Sequence, residues 1–266
     1  WRSRNLPEMV AKKLREMNVD EAYIDHAKLI LTGIANKDKK VSNDLITGQM
    51  IFFSPEDVQA LADTVKALID QSKDVQEFKK LKPDAVIGPM KKAQARAITL
   101  DIALFGRMVT SDIILNVEAS MQVAHAVSTH PVNLESDYFT AVDDLIHLMD
   151  ESGAGMIGDI DYDSCCYYFY ASLDMDKLRE NLKDSPESLA KVHELLPVLL
   201  RVMAMSNPSG KQNTFAGHVL PEAILVEVKK DKIPLNYANA YAEPVSRMSR
   251  RIVQDSINKL VSEVDL

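Results

Sequence analysis

With 266 residues, 46% of them apolar and 26% charged, the chain has the balance of a folded globular protein rather than a disordered one. Its net charge of −8 excludes a uniformly basic surface, and no apolar run approaches the roughly 20 residues that span a bilayer. Cys165 and Cys166 are adjacent, which rules out an ordinary disulfide between them and suits a reducing cytoplasm.

The first third of the chain reads as helical. Leu6, Val10, Leu14 and Met17 recur at helical spacing, as do Ile24, Leu31 and Ile34. Ser54-Pro55-Glu56-Asp57 is a helix start, with Ser54 as N-cap, Pro55 in the first turn and acids at the positive dipole end. Val58, Leu61, Val65, Leu68 and Ile69 supply that helix's buried face. Residues 74–89 are lysine-rich and broken by prolines, so a loop or short helix is expected. Residues 97–108 (AITLDIALFGRM) and 122–130 (QVAHAVSTH) read as strands, and aromatic-rich 165–173 (CCYYFYASL) as a third. A helix over 188–205, a strand over 223–229 (AILVEVK) and a helix over 245–264 complete the chain. That order suits an α+β fold, helices on an antiparallel sheet. The opening at Trp1 is expected to fall short of the true N-terminus.

GAGMIG, residues 153–158, fits G-x-G-x-x-G, but its context argues against a dinucleotide loop. Such a loop follows a strand and opens a helix, whose N-terminus meets the pyrophosphate. Here Asp150 and Glu151 precede it, Asp159, Asp161 and Asp163 follow, and the next element reads as a strand. A glycine-rich hairpin tip fits better. The same aspartates fail as a calcium loop, because Ser164 and Tyr170 stand where Gly and Glu belong.

His125 and His130 on one strand would face opposite sides, and His26, His147, His193 and His218 lack metal-ligand spacing. Asp143-Asp144 has no accompanying nucleophile, and Cys165 or Cys166 would need a histidine partner that sequence cannot place. No catalytic residue, metal or cofactor is therefore expected.

Net charge hides local basic patches: Lys37, Lys39 and Lys40; Lys79, Lys80 and Lys82; Lys91, Lys92 and Arg96; Arg247, Arg250 and Arg251. Each can be a solvated face or a phosphate contact. Met108 in LFGRMVTSD and Phe139 in YFTAVDDL are large apolar groups beside polar or glycine-bearing loops. They are either core residues or exposed wedges that insert between nucleic-acid bases.

DIALFGRMVTSD, AHAVSTHPVN, YFTAVDDL, GAGMIGD, SCCYYFYA, GKQNTFAG and PLNYANAYAEPV, in this order, resemble the CasC family, the backbone subunit of the type I-E CRISPR complex Cascade. The specific motifs cover roughly residues 97–245, and the helical first part matches in character and length. The resemblance implies a modified ferredoxin-like, RNA-recognition-type palm, a helical fingers domain and a protruding β-hairpin thumb. It sets the fingers at 1–118, ending in a strand that joins the palm, and the palm at 119–266, interrupted by the thumb at 132–164.

The resemblance also implies a non-catalytic protein that polymerises along the guide RNA and kinks it at intervals for target DNA recognition in antiviral defence. The implied partners are the CRISPR guide RNA, further copies of the chain, other Cascade subunits and, through the assembled complex, target DNA; no membrane is implied. Met108, Phe139, Thr140 and Ile157 fall at base-wedging positions, and Arg107, Lys211 and Arg247 near RNA phosphates. Lys79, Lys80 and Lys82 fall where the fingers face the target duplex. The family's first strand, basic loop and helix, with several guide contacts, and its last segment lie beyond this sequence. Phe169 stands where an arginine is common. Apolar wedges and phosphate contacts leave base edges unread, which suits a subunit that accepts any guide. The competing reading is a protein–protein scaffold that does not touch nucleic acid, supported by the acidic balance.

Overall fold

The computed structural model describes residues 1–34, 41–92, 98–109, 116–142, 154–184, 186–231 and 233–264. Lys37, Lys39, Lys40, Arg96, Asp143, Asp144, His147, Asp150, Glu151 and Gly153 lie outside the described residues. The chain divides into two units, Trp1–Gln122 with Leu173–Met203, and Val123–Ser172 with Ala204–Leu266.

The first unit opens with β1 (Arg2–Ser3), α1 (Leu6–Glu16), α2 (Glu21–Thr32), β2 (Ile51–Phe52), α3 (Pro55–Gln71), α4 (Val75–Phe78) and α5 (Pro83–Lys92). Leu6, Val10 and Leu14 lie one turn apart on α1 and are fully buried with Ile24, Leu31, Leu61, Val65 and Phe78. Each such side chain contributes roughly 1.5–3 kcal/mol relative to leaving it in water, so this helical layer carries the unit. Met17, Leu68 and Ile69 pack at its edge. β1 and β2 pair antiparallel, Arg2 with Phe52 and Ser3 with Ile51.

Helix α3 starts as its sequence predicts. Ser54 Oγ accepts from the Asp57 N–H at 3.1 Å, and Asp57 Oδ2 accepts from the Ser54 N–H at 3.0 Å, a reciprocal capping box.

Residues 98–108, the described part of the strand expected over 97–108, depart from it. Thr99 precedes a short helix, α6 (Leu100–Phe105), with Ile102, Ala103 and Leu104 buried, and Gly106 ends it at φ 76°. Tertiary burial of one helical face overrides the local β-branched signal. The expected strand at 122–130 is two pieces, β3 (Met121–Val123) and β4 (Val127–Ser128).

The second unit holds the long hairpin of β5 (Glu135–Val142) and β6 (Ala154–Tyr162). The expected strand over 165–173 is likewise split, into β7 (Tyr167–Tyr168) and β8 (Ala171–Leu173). β4 pairs antiparallel with β7, and β3 is the neighbour of β8. The chain continues through α7 (Met175–Asn181), α8 (Pro186–Ala190), α9 (Val192–Met205), α10 (Gln212–Phe215), a 3-10 turn at Tyr237–Tyr241 and α11 (Ile252–Val264). Residues 223–229, expected as a strand, have no ladder among the described residues, and Val228 is 95% exposed. A strand needs a hydrogen-bonded neighbour, and alternation alone does not supply one. The result is a mixed helix-and-strand architecture whose sheets, among the described residues, are all two-stranded.

Polar bonds tie the second unit together. Its buried apolar side chains among the described residues are Ala240 and Val245, beside buried Thr129, His130 and Ser256. Ser256 Oγ donates to Thr129 Oγ1 at 2.7 Å, the Val245 N–H donates to Thr129 O at 2.9 Å, and the Cys166 N–H donates to His130 Nε2 at 3.2 Å. His130 is thus committed to the backbone, with Nδ1 3.1 Å from Pro131 O.

Candidate nucleic-acid interface

Met108 stands on a hydrogen-bonded platform. Gly106 has a positive φ, and a Cβ there would meet Val117 O at 2.8 Å and Ala119 N at 2.9 Å, so both backbone and space call for glycine. The turn leads into a bridge in which Arg107 and Val117 exchange both backbone bonds at 2.8 Å. Ala103 O, at the end of α6, accepts from Ser120 Oγ at 2.8 Å and from Asn181 Nδ2 at 3.0 Å. Met108 emerges from this platform 87% exposed.

The Arg107 side chain goes the other way. It is 7% exposed, and Nη1 donates to Asp57 Oδ2 at 2.8 Å, the oxygen that caps α3. The expected phosphate contact needs the guanidinium at the surface; in this structure that group is spent on a buried carboxylate. A buried arginine charge requires such a partner.

On the hairpin, Thr140 is opposite Ile157 and Phe139 is opposite Gly158. Directly paired residues share a face and adjacent ones do not, so Phe139 and Ile157 point to opposite sides. Ile157 is 60% exposed, whereas Phe139 is half-buried against Gly158. GAGMIG is therefore largely strand rather than hairpin tip, and the register slips at Gly155, between the pairs Ala141–Met156 and Val142–Ala154.

The hairpin base is acidic and hydrogen-bonded. Tyr162 donates to Glu135 Oε2 at 3.1 Å, Ser136 donates to Asp161, and the Glu135 carboxylate pushes the Tyr162 phenol up. Tyr162 also stacks at a tilt on Phe215, centroids 5.7 Å apart. That contact ties α10 to the hairpin base, and Lys211 caps α10 in a left-handed conformation with its side chain exposed.

Arg247 is exposed two residues after Val245, whose burial and bond to Thr129 anchor the loop. Lys79, Lys80 and Lys82 are all exposed around the turn after α4, and buried Phe78, edge-on to Tyr23 and His26, fixes that turn. The lysine group and Met108 lie in the first unit; Phe139, Thr140, Ile157, Lys211 and Arg247 lie in the second.

Three residues escaped sequence reasoning. Met156 and Met248 are exposed, Met248 at 91%, and Met248 follows Arg247 as Met108 follows Arg107. That repeated Arg-Met pair was the available signal. Asp57 carried no signal beyond its place in a cap.

A model of the CT1975-like protein family matches residues 1–266. Among solved structures, a chain of a "CRISPR RNA-guided surveillance complex, pre-nicking" is 23% identical, with a TM-score of 0.77 over 100% of this chain and 72% of that one. A chain of a "CRISPR RNA-guided surveillance complex" is 24% identical, with a TM-score of 0.51 over 81% of this chain and 70% of that one. At these identities the likeness is one of fold. No curated protein matches. Among the described residues, no helix is long and apolar enough to cross a membrane.

Proposed function

The chain belongs to the CT1975-like protein family, and from that premise we propose that it is a guide-RNA-binding backbone subunit of a CRISPR surveillance complex, of the type I-E CasC kind. Copies polymerise along the guide, and Met108, Thr140 and Ile157, with Phe139 on the other hairpin face, part its bases at regular intervals. Lys211 and Arg247 meet RNA phosphates, while Lys79, Lys80 and Lys82 meet target DNA. Arg107 supports Met108 from within. The protein works in the cytoplasm, in antiviral defence, as a non-catalytic member of the complex. Burial first and then Asp163 push the Cys165 thiol up, the opposite of an activated nucleophile, so a catalytic reading finds no foothold at that residue.

The observation that carries the reading is Met108, 87% exposed on a platform that fixes its backbone. A singly exposed apolar group is ordinary on a protein surface; Met108 is set apart because both its chain neighbours, Arg107 and Val109, are buried and hydrogen-bonded. The test is a salt titration of full-chain binding to labelled guide RNA. Phosphate contacts predict log affinity falling linearly with log salt, by about 0.7 per contact on a single strand. A flat profile overturns the reading.

A protein–protein scaffold is the second reading. Exposed Val198, Leu200, Val202 and Met205 on α9 favour it, as do Asp137, Asp159 and Asp161 on the hairpin, which repel phosphate. It predicts the flat salt profile and assembly without RNA.

A further inference from the structure

Both sequence neighbours of Met108 are held inside while Met108 itself is held out. Arg107 and Val109 are buried, and each is bonded: Arg107 through its backbone exchange with Val117, Val109 through its N–H to Asn116 Oδ1 at 2.6 Å. The Arg107 side chain adds a long-range tie. Asp57 Oδ2 accepts simultaneously from Arg107 Nη1 at 2.8 Å and from the Ser54 N–H at 3.0 Å. The residue preceding Met108 is thereby fastened to the first turn of a 17-residue helix.

A buried ion pair of this kind is a poor device for stability alone, because desolvation offsets most of its attraction and apolar replacements often do as well. What it supplies is direction: the planar guanidinium donates along fixed N–H directions, here through Nη1 to an oxygen already oriented by the cap. A side chain on a fixed backbone loses less entropy on contact than one on a mobile loop.

We propose that Asp57 and Arg107 are the positioning pair of Met108, fixing its backbone so that the thioether meets the RNA base stack in one geometry. The proposal rests on the reading of Met108 as an RNA-contacting group. Neither Asp57 nor Arg107 touches RNA; both act through the Met108 backbone.

The test uses the full chain assembled on guide RNA carrying 2-aminopurine at successive positions, whose fluorescence rises where a base unstacks. The wild type gives a regular pattern of enhancement, and Met108→Ala abolishes it. Asp57→Asn keeps one oxygen, the kind of acceptor both the Ser54 N–H and Arg107 Nη1 use, but leaves the buried guanidinium without a countercharge. Arg107→Lys keeps the charge but loses the planar set of N–H donors. Each variant loses most of the enhancement while its melting transition stays cooperative. A carbon-13 methyl-methionine spectrum reads the cause directly: the Met108 signal moves in both variants, and the other methionine signals stay. If one variant fails to fold, the other, with the methyl spectrum, decides. Full enhancement and an unmoved Met108 signal in a folded variant overturn the positioning role and leave the Met108 contact standing. A wild-type pattern that is absent, or indifferent to Met108→Ala, overturns the underlying reading and this proposal with it.

Discussion

The Phe139 ring lies over Gly158, its partner across the hairpin, so closely that a Cβ at 158 would fall 2.7 Å from Phe139 Cζ. Glycine leaves the floor on which the ring rests, a cross-strand cover for a residue with no side chain. Ile157 and Thr140 occupy the other face, so the hairpin offers apolar contact on two sides. In a double-mutant cycle on RNA assembly, Thr140→Ala and Ile157→Ala are expected to couple. Phe139→Ala and Ile157→Ala should add within about 0.5 kcal/mol, since the sheet separates them. A cross-strand pair is worth roughly 0.2–1 kcal/mol, so Phe139→Ala should disturb ordered assembly more than the melting temperature. Stronger coupling across the sheet than on one face contradicts this arrangement.

Gly106 and Gly210 make a matched pair for testing backbone strain. A Cβ at 106 meets Val117 O at 2.8 Å with φ at 76°, whereas a Cβ at 210 meets nothing within 4 Å. Gly106→Ala should destabilise by about 1–3 kcal/mol, with the methionine platform distorted. Gly210→Ala should be near neutral. Denaturant midpoints of the two variants check the difference, and equal midpoints refute it.

Alkaline pH should weaken the fold through two tyrosines. The Asp163 carboxylate, which accepts from Tyr167 at 2.7 Å, and then burial push the Tyr167 phenol up to about 12; burial first does the same for Tyr241. An unfolded tyrosine titrates near about 10, so between about pH 10 and about pH 12 the unfolded chain releases protons that the folded chain keeps. Stability is then fully present below about pH 10 and falls as pH rises through that window. Melting temperature against pH should show the decline, and Tyr167→Phe should make it shallower. A profile unchanged by that substitution speaks against the Asp163 contact.

Charge reversal of Lys79, Lys80 and Lys82 should separate the two nucleic-acid contacts. The three side chains are exposed on a turn fixed by Phe78, so their replacement by glutamate leaves the core alone. Binding of guide-loaded assemblies to duplex DNA should weaken, with the salt slope shallower by about 0.9 for each lost contact. Guide RNA binding by the same variant should be unchanged. A loss confined to guide binding would reverse the assignment.

Sequence carried the helical layer well because its signals are local. The one-turn spacing of Leu6, Val10 and Leu14 and the Ser54-Pro55 start needed no long-range information. Strand readings fared worse for a physical reason. Alternation at 223–229 says which residues could share a face, not whether a neighbouring strand exists, and among the described residues none pairs there. Residues 97–108 carried a β-branched signal, but burial of Ile102, Ala103 and Leu104 selected a helix. At the candidate interface, Met108 is marked by its setting in the sequence and Ile157 by the family resemblance, and both are exposed. The inward turn of Arg107 could not be, because its partner Asp57 lies 50 positions earlier. The opposite facing of Phe139 and Ile157 depended on a register that the sequence does not fix.

The tie between Arg107 and Asp57 also has a temporal meaning. The carboxylate acquires its orientation only when α3 has begun, and the arginine, 50 positions later, reaches it only after the chain between them has been synthesised and folded back. During synthesis the helical layer through Phe78 emerges before Arg107 does, so the exposed thioether of Met108 gains its long-range tie last, against a helix already made.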